Sequence, residues 1–287
     1  MQSILDGLVT GSTYALVGLG FSLVFGALRV LNMAHMDLYM WGAFSGFVAI
    51  SALSNSVVVS ILAGLLGGGL LGIAIQKAFL QWLPFDTLAA PFIGTIGLGI
   101  FLQNAAVWVF GPRQRLFPGL VGSEYYQVGG LQISGVQIII LVTMVLLGLG
   151  LTALLEWTWM GKAIKATSEN AEVAGTLGVN VPLVMLVTVG IGSALGGASG
   201  VLVGMLYGAV LPFMGFVIAV KVLAVIVVGG LGNLPGAVMA GLLLGVVEAL
   251  ATRLGLSAIR DGVAFALLFT FLLFRPQGLL GERIRAR

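Results

Sequence analysis

The chain has no cysteine, a single histidine and few charged residues, which make up 8% of its 287 residues. Without cysteine it has no disulfide, iron–sulfur cluster or catalytic thiol, and one histidine is too few for the usual zinc sites. A water-facing surface normally needs about 25% charged residues. We therefore expect most of this surface to face lipid, and we predict no metal site, no catalytic residue and no enzymatic activity.

The sequence also lacks a nucleotide-binding motif and a concentrated basic patch. The sequence has no phosphate-binding loop of the form glycine, four residues, glycine, lysine and serine or threonine, so any ATP hydrolysis must be supplied by a partner. Its 13 basic residues are dispersed and the net charge is only +3, which is unlike the footprint of a nucleic-acid-binding protein.

Apolar segments are abundant, since 59% of the residues are hydrophobic. A helix that crosses a membrane needs about 20 apolar residues. Candidates lie near 4–27, 36–54, 57–80, 88–110, 134–156, 183–208, 216–230, 235–252 and 258–274. The segment 216–230 is short, which predicts a broken or re-entrant helix near 216–236. We predict an all-α membrane protein in which residues 1–287 form one bundle of eight or nine spans.

One apolar segment carries a glycine at every fourth position, namely Gly192, Gly196, Gly200, Gly204 and Gly208. In lipid, such a stripe lets another helix backbone approach closely. The same stripe could leave room for a substrate path, but helix packing is the favoured interpretation.

The distribution of basic residues predicts the orientation. With the N-terminus outside and nine crossings, the cytoplasmic side receives the larger group, Arg29, Lys77, Lys162, Lys165, Arg275, Arg283, Arg285 and Arg287. Cytoplasmic connections normally carry the excess of lysine and arginine. The C-terminus is then cytoplasmic and the polar segment 111–133 is an external loop.

Residues 157–182 form a charged connection on the predicted cytoplasmic side. The pattern predicts two short helices, near 160–168 and 171–177. Asn170 is placed to cap the second helix, Glu172 lies in its first turn and Gly178 follows its end. Asparagine is favoured at the N-cap, an acid in the first turn and glycine after the last turn of a helix.

Polar residues inside apolar segments are candidates for a translocation path or a gate. Lys221 and Glu248 would lie toward the same side of an antiparallel helix pair, where they either face the bundle interior or extend to the outer interface. Asn32, His35 and Asp37 either satisfy a helix end or take part in gating. The break at Gly229, Gly230 and Gly232 either only shapes the chain or offers backbone groups to a substrate.

Several motifs carry a family resemblance. Glu172, Val173 and Ala174 followed by Gly178 resemble the Glu-Ala-Ala, three residues, Gly pattern of ABC importer permeases. The segments FGALRVLNMAHMDLYMWGAF at 25–44, VVGGLGNLPGAVMAGLLLGVVEAL at 227–250 and LLFRPQGLLG at 272–281 resemble the branched-chain amino acid permease family, specifically the shorter permease subunit of the high-affinity system.

The resemblance implies a subunit of a bacterial inner-membrane importer. Its implied partners are a second homologous permease, two cytoplasmic ATPases that bind ATP and magnesium, and an external substrate-binding protein. By resemblance, the ATPase would dock on the cytoplasmic connection through Lys165, Asn170, Glu172, Ala174 and Gly178. Two alternatives remain: an importer of urea or short amides on the same scaffold, and a stand-alone secondary transporter.

Overall fold

A computed structural model of the protein describes residues 1–53, 55–83, 89–119, 125–128, 130–257, 260–275 and 278–280. The predicted span limits at 54, 88 and 258, part of the segment 111–133, and Arg283, Arg285 and Arg287 lie outside the described residues. The helices are α1 (Gln2–Leu28), α2 (His35–Ala52), α3 (Val57–Ala78), α4 (Ala89–Phe110), α5 (Gly135–Trp157), α6 (Trp159–Glu169), α7 (Ala171–Thr176), α8 (Val181–Tyr207), α9 (Met214–Gly229), α10 (Leu234–Arg253) and α11 (Arg260–Phe274). The prediction of an all-α membrane protein is confirmed.

Six of the helical segments are long and apolar enough to cross a membrane. They begin at Gln2, Val57, Ala89, Gly135, Val181 and Leu234. The predicted short element is present as α9, whose 16 residues extend about 24 Å at 1.5 Å per residue, less than the ~30 Å of hydrocarbon in a bilayer. The count of eight or nine crossings stays a prediction.

Asparagines define the start of three helices. The side chains of Asn170, Asn180 and Asn233 each accept a hydrogen bond from the backbone amide three residues later, at 3.0, 3.2 and 2.7 Å. Each bond satisfies an amide that the helix itself leaves without a partner. The cap predicted at Asn170 is therefore confirmed.

The segment 111–133 contains strands in its described part. β1 (Arg115–Leu116) pairs antiparallel with β4 (Ala209–Val210), and β2 (Tyr125–Val128) forms a hairpin with β3 (Leu131–Ser134). The Phe117 amide donates to the Gly208 carbonyl at 2.9 Å. This strand pair ties the segment after α4 to the end of α8.

Helix α8 lies at the centre of the bundle, in contact with α1, α2 and α3. A Cβ atom on Gly192 would lie 2.6 Å from the carbonyl oxygen of Gly20, and one on Gly200 would overlap the backbone of Tyr39. A Cβ on Gly197 would overlap the carbonyl of Gly64 in α3. Neighbouring backbones fill the space that side chains would need, so these glycines set the distance between helices.

Two other members of the predicted stripe face side chains. A Cβ on Gly196 would lie 3.5 Å from Nε2 of His35, and one on Gly204 would lie 2.9 Å from Cδ2 of Phe117. Gly208 was predicted to pack against a helix, and this is wrong. It ends α8 in the left-handed conformation, with φ 65°, and a Cβ there would meet nothing within 4 Å.

Hydrogen bonds place particular residues at the two ends of the bundle. At one end, Arg29 Nη2 donates to the carbonyl of Ser168 at 2.7 Å, which places the end of α1 beside the lysines of α6. At the other end, the Gln2 side chain bonds the backbone of Gln132, at 2.9 Å to its carbonyl and 3.1 Å from its amide. Arg29 and the lysines of α6 therefore lie at the end opposite the hairpin β2–β3.

We expect Gly197→Val to destabilise the bundle, because the new side chain meets the backbone of α3 and overpacking costs about 1–3 kcal/mol. Gly148→Ala in α5 is the matched control, since a Cβ there meets nothing within 4 Å and alanine favours a helix over glycine by about 0.5–1 kcal/mol. The measurement is the thermal unfolding midpoint of each variant in detergent. Equal midpoints for the two variants would contradict the packing role.

Candidate functional site

The chain turns back into the bundle after α1. Arg29 has φ 56°, and it is the one non-glycine residue with a positive φ in the described part of the chain. The following residues Val30, Asn32 and Ala34 are buried. His35, the first residue of α2, packs against Gly20, about 12 Å back along α1 from its last residue. α2 therefore begins inside the bundle, which the sequence did not predict.

Asp37 lies in the first turn of α2 and is only 3% exposed. Its Oδ1 accepts a hydrogen bond from Nε2 of Gln103 in α4 at 2.9 Å. A Cβ on Gly99 would lie 2.5 Å from Oδ2, and one on Gly215 would lie 2.9 Å from Oδ1. Two glycines on neighbouring helices therefore make room for this carboxylate. The partial positive charge at the N-terminus of α2 also stabilises a negative charge on Asp37.

A cavity of about 360 Å³ lies beside Asp37, between the start of α2, α4 and α9. We call it the carboxylate cavity. Its lining includes Met36, Asp37, Ile96, Gln103, Phe216 and Leu223. The walls are mainly apolar, and their polar side chains are Asp37, its amide donor Gln103, and Thr95. Such cavities, apolar with a few placed polar groups, are typical of small-molecule sites.

Asn32 and His35 lie close to Asp37 in sequence but do not line the carboxylate cavity. Both side chains are buried, and neither has a hydrogen-bond partner among the described residues. The His35 ring meets the ring of Phe21 edge to face, with centroids 5.6 Å apart. His35 lies between α1 and α8, where its Nε2 is close to Gly20 and Gly196.

Lys221 and Glu248 form a separate polar cluster. Nζ of Lys221 lies 2.9 Å from Oε1 of Glu248, and the residues are 7% and 0% exposed. The Tyr14 hydroxyl donates to Oε2 of Glu248 at 2.9 Å and lies 3.2 Å from Nζ. The pair thus faces the bundle interior rather than the outer interface. The sequence did not indicate Tyr14, because a tyrosine in an apolar helix has no distinctive signal.

This cluster does not belong to the carboxylate cavity. Lys221 extends from α9 toward α1 and α10, whereas Ala219, Val220 and Leu223 of the same helix line the cavity. The cluster therefore joins three helices, α1, α9 and α10, with one buried and neutralised charge pair.

The glycine-rich break after α9 also lies apart from the cavity. Gly230 and Gly232 have φ of 103° and 79°, which glycine adopts without strain. The carbonyls of Val228 and Gly229 accept from the amides of Leu279 and Leu280 at 2.7 and 3.4 Å. The backbone groups freed at this break are thus used by the segment after α11.

The charged connection folds as two consecutive helices, α6 and α7, separated by Asn170. We call this segment, residues 158–178, the elbow. Thr158 and Asn170 cap the two helices at 3.0 Å each, and Gly178 follows with φ 88°. Lys165 pairs with Glu156 at 2.6 Å on the surface, an interaction worth little in stability.

The elbow presents a different face from the one expected. Ala174 was predicted to contact an ATPase, but it is 2% exposed and packs inside the chain, so this assignment is wrong. Glu172 is exposed, as are Val173 and Leu177, at 52% and 78%. Residues four apart share one helix face, so Val173 and Leu177 give this surface an apolar component that the sequence analysis missed.

Comparisons with known proteins place the chain among transport permeases. The family described as branched-chain amino acid transport system, permease component, matches residues 3–272. The permease protein BraD of the high-affinity branched-chain amino acid transport system of Pseudomonas aeruginosa is 35% identical, covering 98% of this chain and 96% of its own. LivH of Escherichia coli, with the same description, is 33% identical at the same coverage. LsrC of Shigella flexneri, an autoinducer 2 import permease, is 26% identical over 75% of this chain and 61% of its own.

We expect Lys221→Met to destabilise the protein strongly, because it leaves Glu248 buried without its cation, and breaking a buried pair costs about 3–5 kcal/mol. The double variant Lys221→Met with Glu248→Met removes both charges and should recover most of that loss. Thermal unfolding and the monodisperse fraction in detergent measure the effect. A double variant as unstable as the single one would show that the pair does not act as a neutralised unit.

Proposed function

This chain belongs to the family of permease components of branched-chain amino acid transport systems, and we propose that it is the shorter permease subunit of an ATP-driven importer. Its cargo would be a branched-chain or related amino acid, and its membrane the inner membrane of a bacterium. The observation that carries the proposal is the match to the family over residues 3–272, together with apolar helices long enough to span a bilayer.

The proposed partners follow from what the chain contains. It has no phosphate-binding loop, so two cytoplasmic ATPases would bind ATP and magnesium. A second permease would complete the path, and an external protein would deliver the cargo at the hairpin end. The elbow supports ATPase docking, since Glu172, Val173 and Leu177 form an exposed, mixed polar and apolar surface on a capped helix.

The contact between Arg29 and the elbow supports a route for the movement. Because Arg29 holds the carbonyl of Ser168 at 2.7 Å, a displacement of the elbow would reach the end of α1. The next residues along the chain lead directly to Asp37 at the start of α2. Motion of the ATPases would thus be transmitted to the carboxylate cavity, which would open alternately to the two sides of the membrane.

Orientation is part of the proposal. The elbow, Arg29 and the lysines of α6 lie at one end of the bundle, and we assign that end to the cytoplasm because cytoplasmic connections carry the excess of basic residues. The N-terminus and the hairpin β2–β3 would then face outward.

The decisive experiment is reconstitution of this chain in liposomes with its second permease and two ATPases. With the binding protein outside and ATP inside, leucine uptake should depend on ATP hydrolysis. This chain alone should transport nothing. Uphill uptake by the chain alone would instead identify a secondary transporter, and uptake of urea or a short amide but not leucine would reassign the cargo.

We expect Glu172→Lys and Leu177→Ser each to reduce ATPase association by about tenfold, because a charge reversal or the loss of an apolar anchor in an interface typically costs about 1–2 kcal/mol or more. The measurement is the amount of ATPase that copurifies with the solubilised permease pair. Arg113→Glu, a charge reversal at the opposite end of the bundle, is the control and should leave copurification unchanged. Unchanged copurification in both elbow variants would reject the elbow as the docking surface.

A further inference from the structure

We propose that the carboxylate cavity is a binding site for the ammonium group of the transported amino acid, with Asp37 as its counter-ion and the apolar wall receiving the branched side chain. This inference rests on the proposed function and specifies the ligand chemistry of its path. It assigns specificity to the permease itself, in addition to whatever the external protein selects.

The carboxylate of Asp37 lacks a basic counter-ion among the described residues. Two acidic residues are deeply buried among the described residues, Asp37 and Glu248. Glu248 is neutralised by Lys221 at 2.9 Å. Asp37 has no basic partner in the described part of the chain, and its hydrogen bond comes from the neutral amide of Gln103. A buried carboxylate without a cation is costly, so this position favours a ligand that brings a positive charge.

The carboxylate of Asp37 also has space beside it for a ligand. Gly99 and Gly215 flank the carboxylate, and a Cβ on either would lie within 2.9 Å of one of its oxygens. The absence of side chains at both positions keeps the carboxylate open toward the cavity. The volume of about 360 Å³ lies within the range of about 300–1,000 Å³ that small-molecule sites occupy.

The walls of the carboxylate cavity suit an apolar group. Ile96, Phe216 and Leu223 line the cavity with apolar surface on the side of α4 and α9. Burial of apolar surface stabilises a branched aliphatic group by about 25 cal/mol per Å². One carboxylate beside an apolar chamber therefore matches two of the three parts of a branched-chain amino acid, its ammonium group and its branched hydrocarbon.

A purely structural role for Asp37 makes a different prediction. An acid in the first turn stabilises a helix, and its bond to Gln103 joins α2 to α4. Asparagine would keep the size of the side chain and an oxygen that accepts from Gln103, but not the charge. Asp37→Asn therefore separates the charge from the hydrogen bond.

The chain also offers a matched control. Asp6 in α1 accepts from Nε2 of Gln137 at 2.9 Å, the same geometry as the pair of Asp37 and Gln103, but it lies near the opposite end of α1 from the elbow and outside the cavity lining. Asp6→Asn makes the same chemical change at a site where no ligand is proposed.

The first measurement is leucine uptake by the complete reconstituted complex with saturating binding protein. We expect Asp37→Asn to lower the uptake rate at least tenfold with normal ATPase copurification, and Asp6→Asn to stay within about twofold of wild type. Uptake by Asp37→Asn within twofold of wild type would overturn the inference. Failure of the wild-type complex to import leucine would instead overturn the proposed function, so the two failures are distinct.

The second measurement does not depend on transport. Because the chain has no cysteine, Ala219→Cys places a single thiol in this chain at the cavity wall. Cationic 2-aminoethyl methanethiosulfonate should label this thiol faster than the anionic 2-sulfonatoethyl reagent, because the Asp37 carboxylate attracts the cation and repels the anion. Adding Asp37→Asn removes that charge and should reduce the ratio of the two labelling rates by about tenfold. Leucine delivered by the binding protein should slow labelling. No charge preference, or no protection by leucine, would overturn the inference even if Asp37→Asn did not fold.

Discussion

Backbone contact between glycines is the constraint on which this molecule depends. Gly192, Gly197 and Gly200 bring α8 against α1, α3 and α2 so closely that a methyl group would meet a neighbouring backbone. In lipid, apolar surface alone gives helices no reason to prefer one another to the bilayer, so close van der Waals contact must supply the association. The same packing receives the buried start of α2, where His35 lies beside Gly196.

The two buried acids show how the same bundle treats charge in two ways. Glu248 is held by Lys221 and Tyr14 and joins α1, α9 and α10 in a neutral, closed cluster. Asp37 accepts a hydrogen bond from the amide of Gln103, its one side-chain partner among the described residues, and borders the carboxylate cavity. A neutralised cluster stabilises an arrangement of helices, whereas a carboxylate beside a cavity is able to bind. The Glu248 cluster therefore fits a structural role, and Asp37 fits a role in the proposed path.

Arg29 links these interior features to the surface. Its left-handed backbone turns the chain from α1 back into the bundle, and its guanidinium holds the elbow. One residue thus joins the surface proposed for ATPase docking to the segment that leads to Asp37. Energy supplied at the elbow would need such a short mechanical connection, because packed helices move as rigid units rather than deform continuously.

Apolar length, local capping and ordered motifs are properties of neighbouring residues. The order of the amino acids was therefore enough to predict the membrane class, the all-α fold, the short helix near 216–236, the cap at Asn170 and the family. It also brought Lys221 and Glu248 to attention. The folded bundle was needed to show that Gly208 ends a helix, that Ala174 faces inward and that Tyr14 completes the charge pair. It was also needed to show that Gln103, Gly99 and Gly215 surround Asp37. These facts join residues far apart in the chain, and the packing of helix against helix sets them, which no local pattern encodes.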